Sequence, residues 1–348
     1  MAKKAAPQTT AFQEFKQQLK AKTPGRLYFF HGEEIFLLQH YLNQLKKILI
    51  DELTESFNYH RFNAETFSIR DFADAVENLP MMAEYTMVWV DEIDLFKFHE
   101  ADREKLTEIL CDIPDYCTVV FTYETTPWKP DKRLKKLWSA IDTHGLVVEF
   151  AKQEQRDLVP WILRHFSAHQ KAISQNLCLY LIEITGGTMT ALAGEISKIC
   201  AYSGAHEICK EDIDSVVEPV LDAVVFQMTD LMGNGEYGAA LAKLRQLFQM
   251  QQEPLSILGA IGNHFRRVSA ARTLLDLGKT SGELMEIYSM SDFAARKTMS
   301  SAGRFSAAFC KKASELILQT DHRIKTSFDD PQRLMELLVT QLSQEARR

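Results

Sequence analysis

A chain of 348 residues with 40 Lys+Arg against 47 Asp+Glu carries a formal net charge of −7, and 46% of it is hydrophobic and 25% charged. At roughly 150 residues per domain that length implies two or three domains. The composition, with Gly 15 and Pro 10, excludes a disordered chain, a collagen-like repeat and a protein basic over its whole surface. Nucleic-acid contact therefore has to come from local basic patches or through partners.

No stretch approaches the ~18 continuous apolar residues of a membrane span. The opening MAKKAAPQTTAF has two lysines but no apolar core after them, unlike a secretory signal. Residues 1–10 have no periodic apolar array, and a disordered tail is expected there. The cysteines, Cys111, Cys117, Cys178, Cys200, Cys209 and Cys310, are dispersed and form no CxxC pair. They read as buried or half-buried thiols of a reducing cytoplasm, with no metal site.

Up to about Phe150, short apolar runs alternate with helical patterns. Strands are predicted at Leu27–His31, Asn58–Phe62, Thr86–Val90, Thr118–Thr122 and Leu146–Phe150. LYFF, MVWV, TVVF and LVVEF are continuous β-forming runs, as in parallel strands buried on both faces. Between them, Ile35, Leu38, Leu42, Leu45 and Leu49 make one helical stripe. Ser68 is a candidate N-cap for a helix over Ile69–Asn78. Further helices are predicted at Glu100–Leu110 and Lys132–Ile141. The repeat implies an α/β domain with a parallel sheet over residues 1–150.

Beyond Lys152 nearly everything reads as helix. RDLVPWILRHFSAHQ is amphipathic, with Pro160 a candidate kink. Gln175–Thr185, Met189–Tyr202 and Glu211–Val217 follow, and Glu218-Pro219 marks a boundary. This gives an all-α domain over residues 151–218 and a second over 219–348. Helices are predicted in the latter at Ala223–Met232, Tyr237–Gln249, Pro254–Leu277, Phe305–Ile324 and Pro331–Ser343. Leu334, Leu338 and Leu342 form a stripe that fits either a subunit interface or the domain's own core.

The first strand runs into His31, Gly32, Glu33 and Glu34. A phosphate-cradling turn at this place needs glycines, a Lys and a Ser/Thr. Here two carboxylates face the site and repel a triphosphate, so the turn is read as non-binding. The third strand ends in Asp91-Glu92, which resembles an ATPase's metal-binding pair. Without a phosphate loop it reads as the chain re-entering water. HExxH and GxSxG are absent, so no catalytic residue or cofactor is assigned.

Two features suggest binding. Leu79, Pro80, Met81 and Met82 lie at a turn before the third strand, and adjacent Met side chains suit an apolar pocket on a partner, or else pack inward. Between Trp128 and Trp138 stand Lys129, Lys132, Arg133, Lys135 and Lys136. Basic residues beside aromatics can hold a nucleic-acid backbone, and a solvated helix face is the alternative.

Taken together, these residues resemble the delta subunit family of bacterial DNA polymerase III, the clamp-opening subunit of the clamp loader. The resemblance runs through LYFFHGEEIFLLQHYL, ENLPMMAEYTMVWVDE, DKRLKKLWSAI, TGGTMTALAGEISKICAYSG and the helices after Ala223, ending with Asp321 and Lys325-Thr326. It implies a degenerate AAA+-like α/β domain, a helical lid and a helical collar. It implies a subunit without ATPase activity or cofactor, in the cytoplasm, within a DNA-directed DNA polymerase holoenzyme (a nucleotidyltransferase). The family's ATPase partners carry a Ser-Arg-Cys motif after the fourth strand, where this chain has Thr122-Tyr123-Glu124-Thr125-Thr126. The implied partners are the sliding clamp (beta subunit), the tau/gamma ATPases and delta-prime in a hetero-pentamer, and primed DNA inside that assembly. The family's clamp contact, an apolar pair, falls on Met81 and Met82, with Leu79 and Pro80 shaping the turn. An active AAA+ ATPase remains an alternative, as does a stand-alone DNA-binding protein using Lys129–Lys136 and Arg266-Arg267.

Overall fold

The computed structural model describes residues 10–288, 290 and 292–346. The tail expected over residues 1–10 thus lies outside the described residues except for Thr10, which opens a helix. The chain divides into two compact units that meet at Gln153/Glu154.

The first unit runs α1 (Thr10–Ala21), β1 (Leu27–His31), α2 (Ile35–Leu49), α3 (Glu55–Asn58), β2 (Tyr59–Phe62), α4 (Ile69–Glu77), β3 (Thr86–Asp91), α5 (Glu100–Cys111), β4 (Cys117–Tyr123), α6 (Lys135–His144) and β5 (Leu146–Glu149). The strands form one parallel sheet in the order β2-β3-β4-β1-β5. β1 lies between β4 and β5, with Phe29 level with Phe121 on one side and Val147 on the other.

Successive strand side chains point to opposite faces, and here both faces are dry. Leu27, Phe29, Val88, Val90, Val119 and Phe121 face a core shared with Phe72 of α4, Leu106 of α5 and Leu137 of α6. Tyr28, Phe30, Met87, Trp89, Val120 and Val148 face the other way, onto Phe15 of α1 and Leu38, Leu42 and Leu45 of α2. Burial on both sides is why β1, β3 and β4 are near-continuous apolar runs rather than alternating ones, while the edge strands β2 and β5 are only partly covered. α1 is an element beyond those predicted from the sequence. Its Phe15 sits edge-on to Phe30 at 4.9 Å and Tyr28 at 5.2 Å, closing one face of the sheet.

The α/β class with its parallel sheet stands as read. Ser68 caps α4, accepting from the Asp71 N–H at 3.0 Å. Several predicted edges move by one to three residues. Asn58 closes α3 instead of opening β2. The helix expected from Lys132 begins at Lys135, because Asp131 holds the preceding residues in a turn by accepting from the Arg133 N–H at 3.0 Å.

The second unit is helical: α7 (Gln155–Ala168), α8 (Gln175–Thr185), α9 (Met189–Tyr202), α10 (Lys210–Val216), α11 (Leu221–Gly233), α12 (Tyr237–Gln249), α13 (Pro254–Asp276), α14 (Ser281–Tyr288), α15 (Asp292–Ala302), α16 (Ala307–Thr326) and α17 (Pro331–Ala346). α7 carries Pro160 inside its span. Ser174 and Thr188 cap α8 and α9, accepting from the Leu177 and Ala191 N–H groups. α11 to α17 share a core that includes Val224, Met228, Leu244, Ile261, Phe265, Phe309 and Val339. Leu338 and Leu342 belong to that core and Leu334 is 5% exposed, so the stripe on α17 is internal rather than an interface.

No single described helix is long and apolar enough to cross a membrane. The cysteines are free, and two correct the reading of all six as covered. Cys111 is exposed at the end of α5, and Cys209 is exposed as the N-cap of α10, where its thiol meets Asp212.

Candidate functional site

The turn after β1 is folded shut on the end of β5. The His31 carbonyl accepts from the Phe150 N–H at 2.7 Å, and the Glu34 N–H donates to the Phe150 carbonyl at 3.0 Å. Gly32, at φ +139°, lies so close that a Cβ there would stand 2.6 Å from the Phe150 carbonyl carbon and overlap its oxygen. Backbone groups that could cradle a phosphate are therefore turned onto the chain itself. Glu33 is exposed and Glu34 buried. The His31 ring stacks on Trp128 at 5.8 Å, and burial lowers its pKa more than nearby Glu149 raises it.

The acidic pair at the end of β3 is likewise engaged internally. Asp91 accepts from Thr122 Oγ1 at 2.9 Å and from Arg61 at 2.7 Å. The Arg61 guanidinium lies 3.8 Å over the Trp89 ring. Glu92, at φ +61°, turns its carboxylate into the loop after β4. There it accepts from the N–H groups of Glu124, Thr125 (2.9 Å) and Thr126 (2.6 Å), and from Thr125 Oγ1 at 2.8 Å. Three successive amides form the kind of nest that elsewhere binds an anion, and here the anion is the chain's own side chain. Burial alone would raise the Glu92 pKa, but these hydrogen bonds outweigh it and hold it at about 2, against the usual 4.5.

A depressed carboxyl pKa stabilises the fold above its unfolded-state value and loses that contribution as pH falls through the folded-state value. The Glu92 contribution is thus complete above about pH 4.5 and disappears towards pH 2. Urea titrations of wild type and Glu92→Gln should differ most near neutrality and converge over that window. A difference independent of pH would count against the nest.

The turn between α4 and β3 is open. Leu79 is 76% exposed, Met81 52% and Met82 91%. The inward-packing alternative for the two methionines therefore does not hold, and Pro80 is half-buried. Met82 adopts φ +54°, a left-handed conformation that costs a non-glycine residue about 1 kcal/mol or more. The turn is tied on both sides: the Tyr116 hydroxyl donates to the Glu77 carbonyl at 2.9 Å, and the Thr86 N–H to the Tyr116 carbonyl at 2.8 Å. A buried side chain, Asn58, bonds both backbone groups of Met81. Leu53 and Phe57, just before Asn58, are 89% and 57% exposed. Periodicity could not single out Asn58, Leu53 or Phe57, since no repeat pattern distinguishes them.

The basic segment is exposed along its length, with some of its charges paired at the surface. Arg133 is paired with Asp131 at 2.7 Å, Lys136 with Glu104 at 3.2 Å, and the Lys132 ammonium lies 5.0 Å over the Trp138 ring. Lys129 and Lys135 are exposed. Trp128 is half-buried and packs against the core, with Phe29 at 5.3 Å and Tyr123 at 4.8 Å.

Comparisons with known proteins agree along the chain. Residues 28–151 match the family model described as DNA polymerase III, delta subunit. Residues 222–342 match the one described as DNA polymerase III delta subunit, C-terminal domain. The chain is 23% identical to DNA polymerase III subunit delta of Bacillus subtilis over 331 residues, covering 94% of this chain and 95% of that one. It is 24% identical to the probable DNA polymerase III subunit delta of Aquifex aeolicus over 289 residues, 80% of each. Its fold is similar to that of the solved Bacillus subtilis DNA clamp loader delta protein, with TM-score 0.62 and 22% identity over 95% of this chain and 99% of that one. Two models of a single family, one on the α/β unit and one on the C-terminal helices, place this chain in the DNA polymerase III delta subunit family.

Proposed function

We propose that this chain is the clamp-loader subunit that binds the sliding clamp and favours its open ring. One observation carries the reading: Leu79, Met81 and Met82 stand 76%, 52% and 91% exposed on a short, tied turn. Apolar side chains held out on a rigid tip suit insertion into a pocket. Leu53 and Phe57 extend the apolar surface on the segment that Asn58 joins to the turn.

Opening then follows from differential affinity. A ligand shifts a closed–open equilibrium only as far as it binds the open form better, and moving it from 1:99 to 99:1 takes about 10⁴-fold. No bond chemistry by this subunit is needed. Nucleotide binding and hydrolysis belong to neighbouring tau/gamma ATPases, with delta-prime completing the hetero-pentamer. Residues 151–218 act as a lid, and residues 219–348 as the collar that joins the loader subunits. Leu318 and Phe328, 69% and 109% exposed, are apolar groups available to that collar contact. Lys129, Lys132, Arg133, Lys135 and Lys136, all exposed, are the basic residues offered to primed DNA within the assembly. The setting is the cytoplasm.

The test is titration of the full chain with the sliding clamp of its own organism, without nucleotide. Binding at micromolar concentration or tighter supports the reading. Absence of binding by the folded chain at tens of micromolar removes it. Calorimetry with ATP and Mg²⁺ separates this subunit from an active ATPase. No heat is expected up to about 1 mM ATP, a dissociation constant weaker than about 4 kcal/mol of binding. A micromolar site would reverse the assignment.

A further inference from the structure

Asn58 is fully buried, at 0% exposed, where α3 ends and β2 begins. Its amide is used on one residue. The Oδ1 accepts from the Met81 N–H at 2.7 Å, and the Nδ2 donates to the Met81 carbonyl at 2.9 Å. The side chain thus copies what a neighbouring strand's backbone would offer, a donor and an acceptor side by side. Burial makes the arrangement hard to abandon, since a buried amide stripped of partners loses both bonds and keeps its desolvation penalty.

What Asn58 holds is the residue before the strained one. Met82 sits at φ +54° and is 91% exposed, so no packing of its own side chain fixes it there. An untied tip of this kind would spread over several backbone conformations, and a partner would have to order it on binding. With Met81 clamped at both its N–H and its carbonyl, the direction in which the chain enters Met82 is set beforehand.

We infer that Asn58 is a positioning residue for the clamp contact, holding the Met81–Met82 tip in the free chain in the conformation that the clamp's pocket receives. The inference rests on the reading of this turn as the clamp-binding element. Asparagine is specifically suited to the role. Aspartate has the same shape and can accept from the Met81 N–H, but at neutral pH it sets a carboxylate oxygen against the Met81 carbonyl. Alanine removes both bonds.

The experiment measures clamp affinity of the full-length wild type, Asn58→Ala, Asn58→Asp and Met81→Ala/Met82→Ala, each checked for cooperative unfolding. Both Asn58 variants should bind about tenfold more weakly, the scale of one or two net hydrogen bonds. In a Met82→Ala background the loss from Asn58→Ala should shrink, because there is less side chain left to place. A loss of equal size in both backgrounds would mean that Asn58 acts elsewhere, and would overturn the inference. Asn58 variants that bind like wild type, beside a Met81→Ala/Met82→Ala variant that does not bind, would overturn it while leaving the turn as the clamp contact. A Met81→Ala/Met82→Ala variant that binds like wild type would remove the reading of the turn, and the inference with it. Hydrogen exchange on the free wild type tests the tie without any variant: the Met81 amide should be protected, and exchange at the rate of an open loop would overturn the inference.

Discussion

Met81→Ala/Met82→Ala is expected to weaken clamp binding by about 30- to 100-fold and to leave the unfolding midpoint almost unchanged. Burying a methionine side chain gains about 1.5–3 kcal/mol, and immobilising its rotamers takes back a large part of that. Two such side chains at the centre of a contact leave roughly 2–3 kcal/mol, which is the stated range. Stability should barely respond, because the two groups are 52% and 91% exposed in the free chain. Exposed substitutions of this kind usually stay within about 0.5 kcal/mol. The separation of the two effects is the informative part. Loss of affinity together with loss of stability would point to a misfolded turn, and affinity within threefold of wild type would exclude these side chains as the anchor. Leu79→Ala, at 76% exposed, should add a smaller loss of the same kind.

How much of this could be read beforehand follows from where the information lies. The sheet was readable because strands buried on both faces must be apolar at every position, and LYFF, MVWV and TVVF have no other simple explanation. The methionine turn was readable as a place, between a helix end and a strand, but not as an exposed one. Nothing local to Met81 and Met82 says whether they point in or out, and the side chain that bonds the Met81 backbone, Asn58, stands 23 positions earlier. The same limit applies at Glu92. Its left-handed backbone and its three amide partners come from β3 and the loop after β4, so a reading of Asp91-Glu92 as a chain re-entering water missed the internal anion it supplies. The basic stretch is a different case. Lys132, Arg133 and Lys136 form a cluster in the sequence, but only the fold brings Glu104 to Lys136, and even then the Lys136 side chain stays 82% exposed. α1 could have been found, since Phe12, Phe15 and Leu19 keep helical spacing. α14 and α15 offered less, with Leu284 the single buried residue of α14 and with Ala295, Thr298, Ser301 and Ala302 buried in α15. Small buried residues leave almost no hydrophobic period.

Gly32→Ala is expected to destabilise the first unit by at least about 3 kcal/mol, or to prevent its folding. A left-handed backbone alone costs a residue with a Cβ about 1–3 kcal/mol. Here the Cβ also meets backbone rather than a flexible side chain, standing 2.6 Å from the Phe150 carbonyl carbon and 2.7 Å from its nitrogen. Relief requires the end of β5 to move away, which breaks the His31–Phe150 and Glu34–Phe150 hydrogen bonds of 2.7 and 3.0 Å. Gly194→Ala, inside α9 with open space around the new methyl, is the matched control and should be neutral or stabilising by up to about 1 kcal/mol. Denaturant midpoints of the two variants against wild type make the comparison. The contrast bears on function as well as on stability. In a nucleotide-binding α/β protein, a glycine at this turn lets the backbone approach a phosphate. At Gly32 the group approached is the Phe150 backbone, and the closeness that makes the glycine indispensable is the same closeness that shuts the turn. A Gly32→Ala protein as stable as wild type would mean that the turn opens at little cost, and the ATP titration would then become the decisive experiment for this subunit.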